Sequence, residues 1–416
     1  MTSHSEPLPI VDRTGSERLA LIDALRGFAL AGVLLGNLGG FSLYYFMDDS
    51  ARAAMPSSGF DHWAGLLMQI LVQDKALTLF SLLFGLGIAV QVEQSASKGT
   101  GIGPILRRLA VLLVIGLLHA HLFWWGDILT IYAVLGFGLI ALRRLPDAAF
   151  LIGGLGLGLF WFLLAPVAEW LKPDDWPEQA RVYADSFAIF SGNDSAATLR
   201  QNTRVAHWMW LEMWGVQAFV FARFLLGYWI GRKRLLHDPA AHRRLLRAIV
   251  VIGGSVGLAA VIAIEWIDAA QLTDTLLRGG RYSEFALRLL RRIGPLGMGL
   301  AYAAGFALLF LHPGWRRWMQ RFALIGRMAL SNYLMQTVVC LWLFYGIGLG
   351  IGPAHGYFTR LTVWIALFGA QMVFSHWWLA RFRLGPVEWL WRSIAEGRRL
   401  PMRQPAQRSM RSMSSA

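Results

Sequence analysis

Long apolar runs recur along this chain, each bounded by short polar segments and each able to cross a bilayer as a helix, for which about 20 residues suffice. The pattern predicts an all-α polytopic transmembrane bundle of about ten spans, near residues 20–44, 76–92, 105–124, 127–142, 147–170, 207–230, 244–266, 287–312, 318–345 and 358–380. The polar segments alternate in charge. Basic clusters at Lys98/Arg107/Arg108, Arg143/Arg144, Arg232/Lys233/Arg234 and Arg316/Arg317/Arg321 take turns with acidic segments around Asp48/Asp49, Asp174/Asp175 and Asp268/Asp274, and with a neutral one over 346–357. Basic loops stay on the cytosolic side, so the alternation predicts that both termini are cytosolic. It divides the chain into a cytosolic N-terminal segment (1–18), a transmembrane domain (19–397) and a basic tail (398–416) expected to be disordered. Residues 61–75 read as an interfacial helix, and 171–204 as the largest outer loop, placed to cover a cavity.

Polar residues inside the apolar runs are the candidate chemistry. The first span carries Asp23, Arg26 and Asn37. At about 100° per residue, Arg26 and Asn37 fall about 20° apart, with Asp23 about one turn below Arg26. All three share one stripe, which must face protein or water. The stripe reads either as a substrate site or as an Asp23–Arg26 pair that orients the helix. The third and fourth spans form a hairpin, with His119 before the turn and Asp127 after it. An imidazole suits proton transfer near neutral pH and a carboxylate can orient it; Asp127 is equally well placed to cap the fourth helix. Asn332 and Gln336, one turn apart in the ninth span, suit either bonds between helices or an oxyanion. Arg288, Arg291 and Arg292 form an outward basic cluster suited to an anionic acceptor or headgroup.

Composition removes other classes. With 56% hydrophobic and 15% charged residues, the chain falls outside soluble domains, in which about 25% are charged. The net charge of +14 sits in loop clusters, which makes the bilayer the partner and not nucleic acid. The single cysteine, Cys340, lies in an apolar span, so neither a disulfide framework nor a thiolate zinc site is expected.

Several segments resemble the YeiB-like family of bacterial inner-membrane proteins, domain of unknown function 418. They are Asp23-Ala-Leu-Arg-Gly-Phe-Ala-Leu with Asn37, Phe80-Ser-Leu-Leu-Phe-Gly85, and Gly116-Leu-Leu-His119 with Gly126-Asp-Ile-Leu129. Further on come Leu226-Gly-Tyr-Trp-Ile-Gly-Arg232, Gly326 to Gln336, and Gly385 to Arg392. This family looks like a branch of the transmembrane acyltransferases, whose members pass an acyl group from cytosolic acyl-CoA to an acceptor on the far side. The carbohydrate O-acetylases among them carry an Arg and a His on the first span, where this chain has Arg26 and Asn37. The resemblance therefore implies acyl-CoA as donor and an extracytoplasmic carbohydrate or lipid-linked acceptor. It implies His119 with Asp127 behind it, or else the loop residue His62, as base, Arg26, Arg107 and Arg108 on the CoA phosphates, and Asp23, Asn37, Asn332 or Gln336 at the substrate or its oxyanion. No metal is required. A secondary transporter is the alternative class, and the oligomeric state stays open, a homodimer included.

Overall fold

A computed structural model describes residues 13–55, 58–352 and 355–404. In chain order the principal helices are α1 (Arg13–Phe41), α2 (Ser58–Leu71), α3 (Lys75–Ser97), α4 (Gly103–Leu122), α5 (Leu129–Leu142), α6 (Asp147–Phe160), α7 (Gln179–Ser191), α8 (Ser195–Glu212), α9 (Trp214–Arg232), α10 (Gly254–Ala269), α11 (Arg281–Phe310), α12 (Pro313–Arg327), α13 (Ala329–Phe344), α14 (Tyr357–Leu379) and α15 (Pro386–Glu396). Among the described residues the only extended pairing is an isolated bridge between Phe382 and Arg403. The all-helical expectation holds.

Seven helical segments are long and apolar enough to cross a membrane, and α8 with α9 makes an eighth if the pair, bent by 65°, is one span. The remaining two expected spans rest on α5 and α13, of 14 and 16 residues, short of the roughly 20 that a bilayer asks for. Two expected boundaries change. The sixth span does not run straight from 207, because the chain turns at Met213 and α9 starts at Trp214. The ninth span is two helices, since the backbone leaves helical geometry at Met328 (φ −116°, ψ 30°). At the termini, residues 1–12 and 405–416 lie outside the described residues. Helix α1 begins at Arg13, within the segment expected to precede the domain. The first part of the expected disordered tail is ordered: the Arg383 amide donates to Met402 O at 2.9 Å and the Gln404 amide to Arg381 O at 3.0 Å.

Every helix start inside an apolar bundle has amides with no water to receive them, so acceptors must come from the protein. Carboxylates do this at three places. Asp61 accepts from the Tyr357 amide at 2.6 Å and starts α14. Glu388, on α15, accepts from the Leu330 and Ser331 amides at 2.8 and 3.0 Å and from the Ser331 hydroxyl, which starts α13 after the break at Met328. Burial pushes the Glu388 carboxyl above its usual range, and the hydrogen bonds from Ser331 pull it part of the way back. Asp127 starts α5.

Close packing follows small residues. A Cβ on Gly326 of α12 would sit 1.8 Å from the carbonyl oxygen of Asp23, and one on Gly27 would sit 2.0 Å from that of Phe322. Helices α1 and α12 therefore touch backbone to backbone, as small residues allow in membranes. The same holds for α3 and α9, where a Cβ on Gly227 would meet Leu82 O at 2.0 Å.

The bundle has two distinct ends, marked by α4. Its 20 residues reach about 30 Å at 1.5 Å per residue, from Arg107 and Arg108 near its start to Trp124 and Trp125 just past its finish. The 171–204 region forms α7 and the first half of α8, and these two helices seat Val182, Phe190, Val205 and Trp208 in one core with Trp124, Trp125 and Tyr345. They cover the Trp end.

Candidate functional site

Helix α4 ends in an apolar turn that must place two consecutive tryptophans and a carboxylate. Asn202 of α8 fixes that turn: its Oδ1 accepts from the Trp125 amide at 2.7 Å, and its Nδ2 donates to Ala120 O at 2.7 Å and His121 O at 3.1 Å. Beyond the turn, Asp127 accepts from the Leu129 and Thr130 amides at 3.1 and 2.7 Å. The same carboxylate lies 2.8 Å from His119 Nδ1. Asp127 thus caps α5 and contacts the His119 ring with the same carboxylate. On its other side His119 Nε2 lies 3.0 Å from the Thr337 hydroxyl of α13. His119, Asp127 and Thr337 are 3%, 8% and 1% exposed. With the ring proton on Nδ1, facing the carboxylate, Nε2 is left as an acceptor for a hydroxyl.

The other expected residues lie apart from this pair. Asn37 lines a cavity of about 280 Å³ at the Trp end, between α1, α2, α3 and α14. Gly126 and Ile128, which flank Asp127, also line it, but His119 does not. Asn332 and Gln336 do not line this cavity. Asn332 Nδ2 donates to Ser375 at 3.1 Å, Gln336 Nε2 to Gln371 at 2.9 Å, and Gln371 Nε2 to Asn332 O at 2.9 Å. These amides join α13 to α14, because a buried amide takes the nearest partner available. Asp23 and Arg26 pair at 3.0 Å, with side chains 20% and 35% exposed.

Arg107 and Arg108 line a second opening, of about 420 Å³, with Lys98, Arg398 and Glu396. Arg26 is not in its wall. Arg108 pairs with Glu396 at 3.3 Å, and the Trp391 indole donates to Arg108 O at 2.8 Å, so amphipathic α15 is latched over this end. The outward arginines are engaged within the fold: Arg288 with Glu284 and Arg291 with Asp268, both at 2.8 Å, and Arg292 over the Trp161 ring at 4.1 Å. His62 is exposed beside Trp63.

Sequence reasoning did not find Thr337, Asn202 or Arg360. Thr337 and Asn202 act across 218 and 77 residues of chain, and no local pattern carries that. Arg360 opens α14 and reads as an ordinary anchor at the edge of a span, although it is 3% exposed.

Residues 230–398 match the family model described as "Protein of unknown function (DUF418)". The chain is 32% identical over 408 residues to "Uncharacterized protein YxaH" of Bacillus subtilis (strain 168), an alignment covering 91% of this chain and 94% of that protein. It is 30% identical over 401 residues to "Uncharacterized protein YeiB" of Escherichia coli (strain K12), covering 91% and 96%. No solved structure matches the chain significantly. Both relatives are aligned over about nine-tenths of the chain at 30% identity or more, and the chain belongs to the YeiB-like DUF418 family.

Proposed function

We propose that this protein is a membrane acyltransferase of the bacterial inner membrane that carries an acyl group from cytosolic acyl-CoA to a hydroxyl or amine on the outer side. The observation that carries the reading is the His119–Asp127 pair: an imidazole 2.8 Å from a carboxylate that two backbone amides hold still. That is how a base is oriented for general acid–base catalysis. Openings at both ends of α4 support it. The one with Arg107 and Arg108 suits CoA phosphates, and the aromatic one suits an acceptor.

In the proposed step the acceptor hydroxyl takes the place of the Thr337 hydroxyl at His119 Nε2. Its oxygen attacks the thioester carbon as the proton passes to Nε2. The carbon–sulfur bond breaks, and His119 returns the proton to the CoA sulfur. Asn37, the one expected amide that lines a cavity, keeps the oxyanion role; Asn332 and Gln336 hold helices instead, and Arg26 remains with Asp23.

The test is release of CoA thiol from labelled acyl-CoA by the purified protein. His119→Gln keeps a polar side chain of similar size, so the fold should persist while release falls by about 10²–10⁴-fold, the usual contribution of a general base. Unchanged release in a folded His119→Gln would remove this reading. Reporters fused after Arg144, Arg234 and Arg321 should report cytosol, and those near Asp185 and Asp274 the outside; inversion of any one overturns the sidedness.

A secondary transporter is the second reading. The 65° break at Met213, a residue in the wall of the Trp-end cavity, favours it, since transporters bind substrates at interrupted helices. Saturable substrate uptake into vesicles without thiol release would establish it.

A further inference from the structure

Arg360 and Arg223 are both buried arginines with unbonded guanidinium nitrogens, and of the two it is Arg360 that lines the Trp-end cavity. It is 3% exposed, and its Nε and one terminal nitrogen have no hydrogen-bond partner. Its guanidinium lies against the rings of Tyr44 and Tyr357, 3.9 and 3.6 Å from their centroids. Stacking of this kind occupies the faces of the group and leaves its edge, where the N–H donors point, for another partner. A buried cation with unbonded donors is costly unless something completes it.

The rest of the cavity says what could do so. Gly32, Gly36, Gly39 and Gly40 line the α1 side, which leaves backbone in place of side chains there. Aromatic rings, Trp124 and Trp125 among them, form other walls. Asp74 also faces the cavity and holds a left-handed backbone (φ 63°) without being glycine, a conformation that clusters at functional sites. A flat edge of donors suits a phosphate bidentately; rings with a carboxylate and the Asn37 amide suit the faces and hydroxyls of a polyol.

We infer that this cavity binds a phosphorylated polyol, with its phosphate on Arg360 and its hydroxyls towards Asp74 and Asn37. The ligand is either a free sugar phosphate or the hydroxyl-bearing headgroup of an anionic phospholipid. The inference stands on the cavity alone and does not need acyl transfer.

The test uses the purified full-length protein in two arms, each read by melting temperature. In a neutral detergent without a sugar headgroup, glucose 1-phosphate is titrated against glucose. In nanodiscs, phosphatidylglycerol is compared with phosphatidylcholine. A saturable rise with glucose 1-phosphate alone identifies the free ligand; a rise with phosphatidylglycerol alone identifies the headgroup. Arg360→Met should weaken whichever response appears by about tenfold or more, and Arg360→Lys should retain part of it. Should Arg360→Met fail to fold, Asp74→Asn takes its place, with the expectation of weaker discrimination between glucose 1-phosphate and inorganic phosphate, or between phosphatidylglycerol and phosphatidylcholine. No response to any probe, or an undiminished response in folded Arg360→Met and Asp74→Asn, overturns the inference.

Discussion

At the α4–α5 hairpin both ring nitrogens of His119 and both oxygens of Asp127 are bonded, whereas at the start of α14 two guanidinium nitrogens of Arg360 have no partner. Both sites are buried, and both lie at the Trp end of the bundle. The difference separates two uses of buried polarity. A completed network fixes local geometry and contributes to stability, because removing one member leaves the others unpaired. An incomplete one costs stability and is kept for a ligand. Substitutions at the two sites should therefore act on stability with opposite sign.

Asp127→Ala should have the largest effect. It strands the His119 ring N–H and the Leu129 and Thr130 amides, each at about 1–3 kcal/mol, so the melting temperature should collapse. Asp127→Asn, which keeps an acceptor oxygen, should lose much less. Arg360→Met should leave the melting temperature at or above wild type, since it removes a buried cation whose unbonded donors have no partner. If Arg360→Met destabilises as much as Asp127→Ala, the distinction between the two sites fails. The Asp23–Arg26 pair lies between these cases, with side chains 20% and 35% exposed. A double-mutant cycle with Asp23→Ala and Arg26→Ala should give a coupling of about 0.2–1 kcal/mol, as for accessible pairs, and not the 3–5 kcal/mol (roughly) of a broken buried pair.

The smallest effect should come from Asp194, which caps α8 through the Ala196 and Ala197 amides at 2.9 and 3.0 Å. Those bonds hold its carboxyl below the ordinary 3.8. A lowered folded value means that its stabilisation is present above 3.8 and lost as pH falls through the folded value. Amide exchange in the first turn of α8 should accelerate on that acid limb and be flat at neutral pH; Asp194→Asn should remove the pH dependence.

The apolar runs carried the all-helical architecture, because hydropathy alone decides which segments can be buried in a bilayer. The His119–Asp127 pair was legible for a related reason: the hairpin turn closes within eight residues, so proximity followed from secondary structure. What lay beyond local spacing was not. The break at Met328 depends on Glu388, 57 residues downstream of Ser331, supplying acceptors for a new helix start. Asn332 and Gln336 looked suited to an oxyanion, yet α14 brought Ser375 and Gln371 to them. In each case a partner from a distant segment decided the role of a residue whose type alone allowed two.

The central claim is transfer of an acyl group across the bilayer, and the most direct measurement places the donor and the product on opposite sides of one. The purified protein is reconstituted into sealed vesicles loaded with a mixture of hydroxyl- and amine-bearing envelope saccharides, and radiolabelled acyl-CoA, which does not cross membranes unaided, is added outside. The account predicts that label accumulates on the enclosed acceptors as CoA thiol appears outside, that vesicles carrying His119→Gln lose both, and that Asn332→Ala in folded protein keeps both. Label that stays wholly outside, with no thiol released by a protein shown to be folded and oriented with its Arg107/Arg108 end outward, would contradict it.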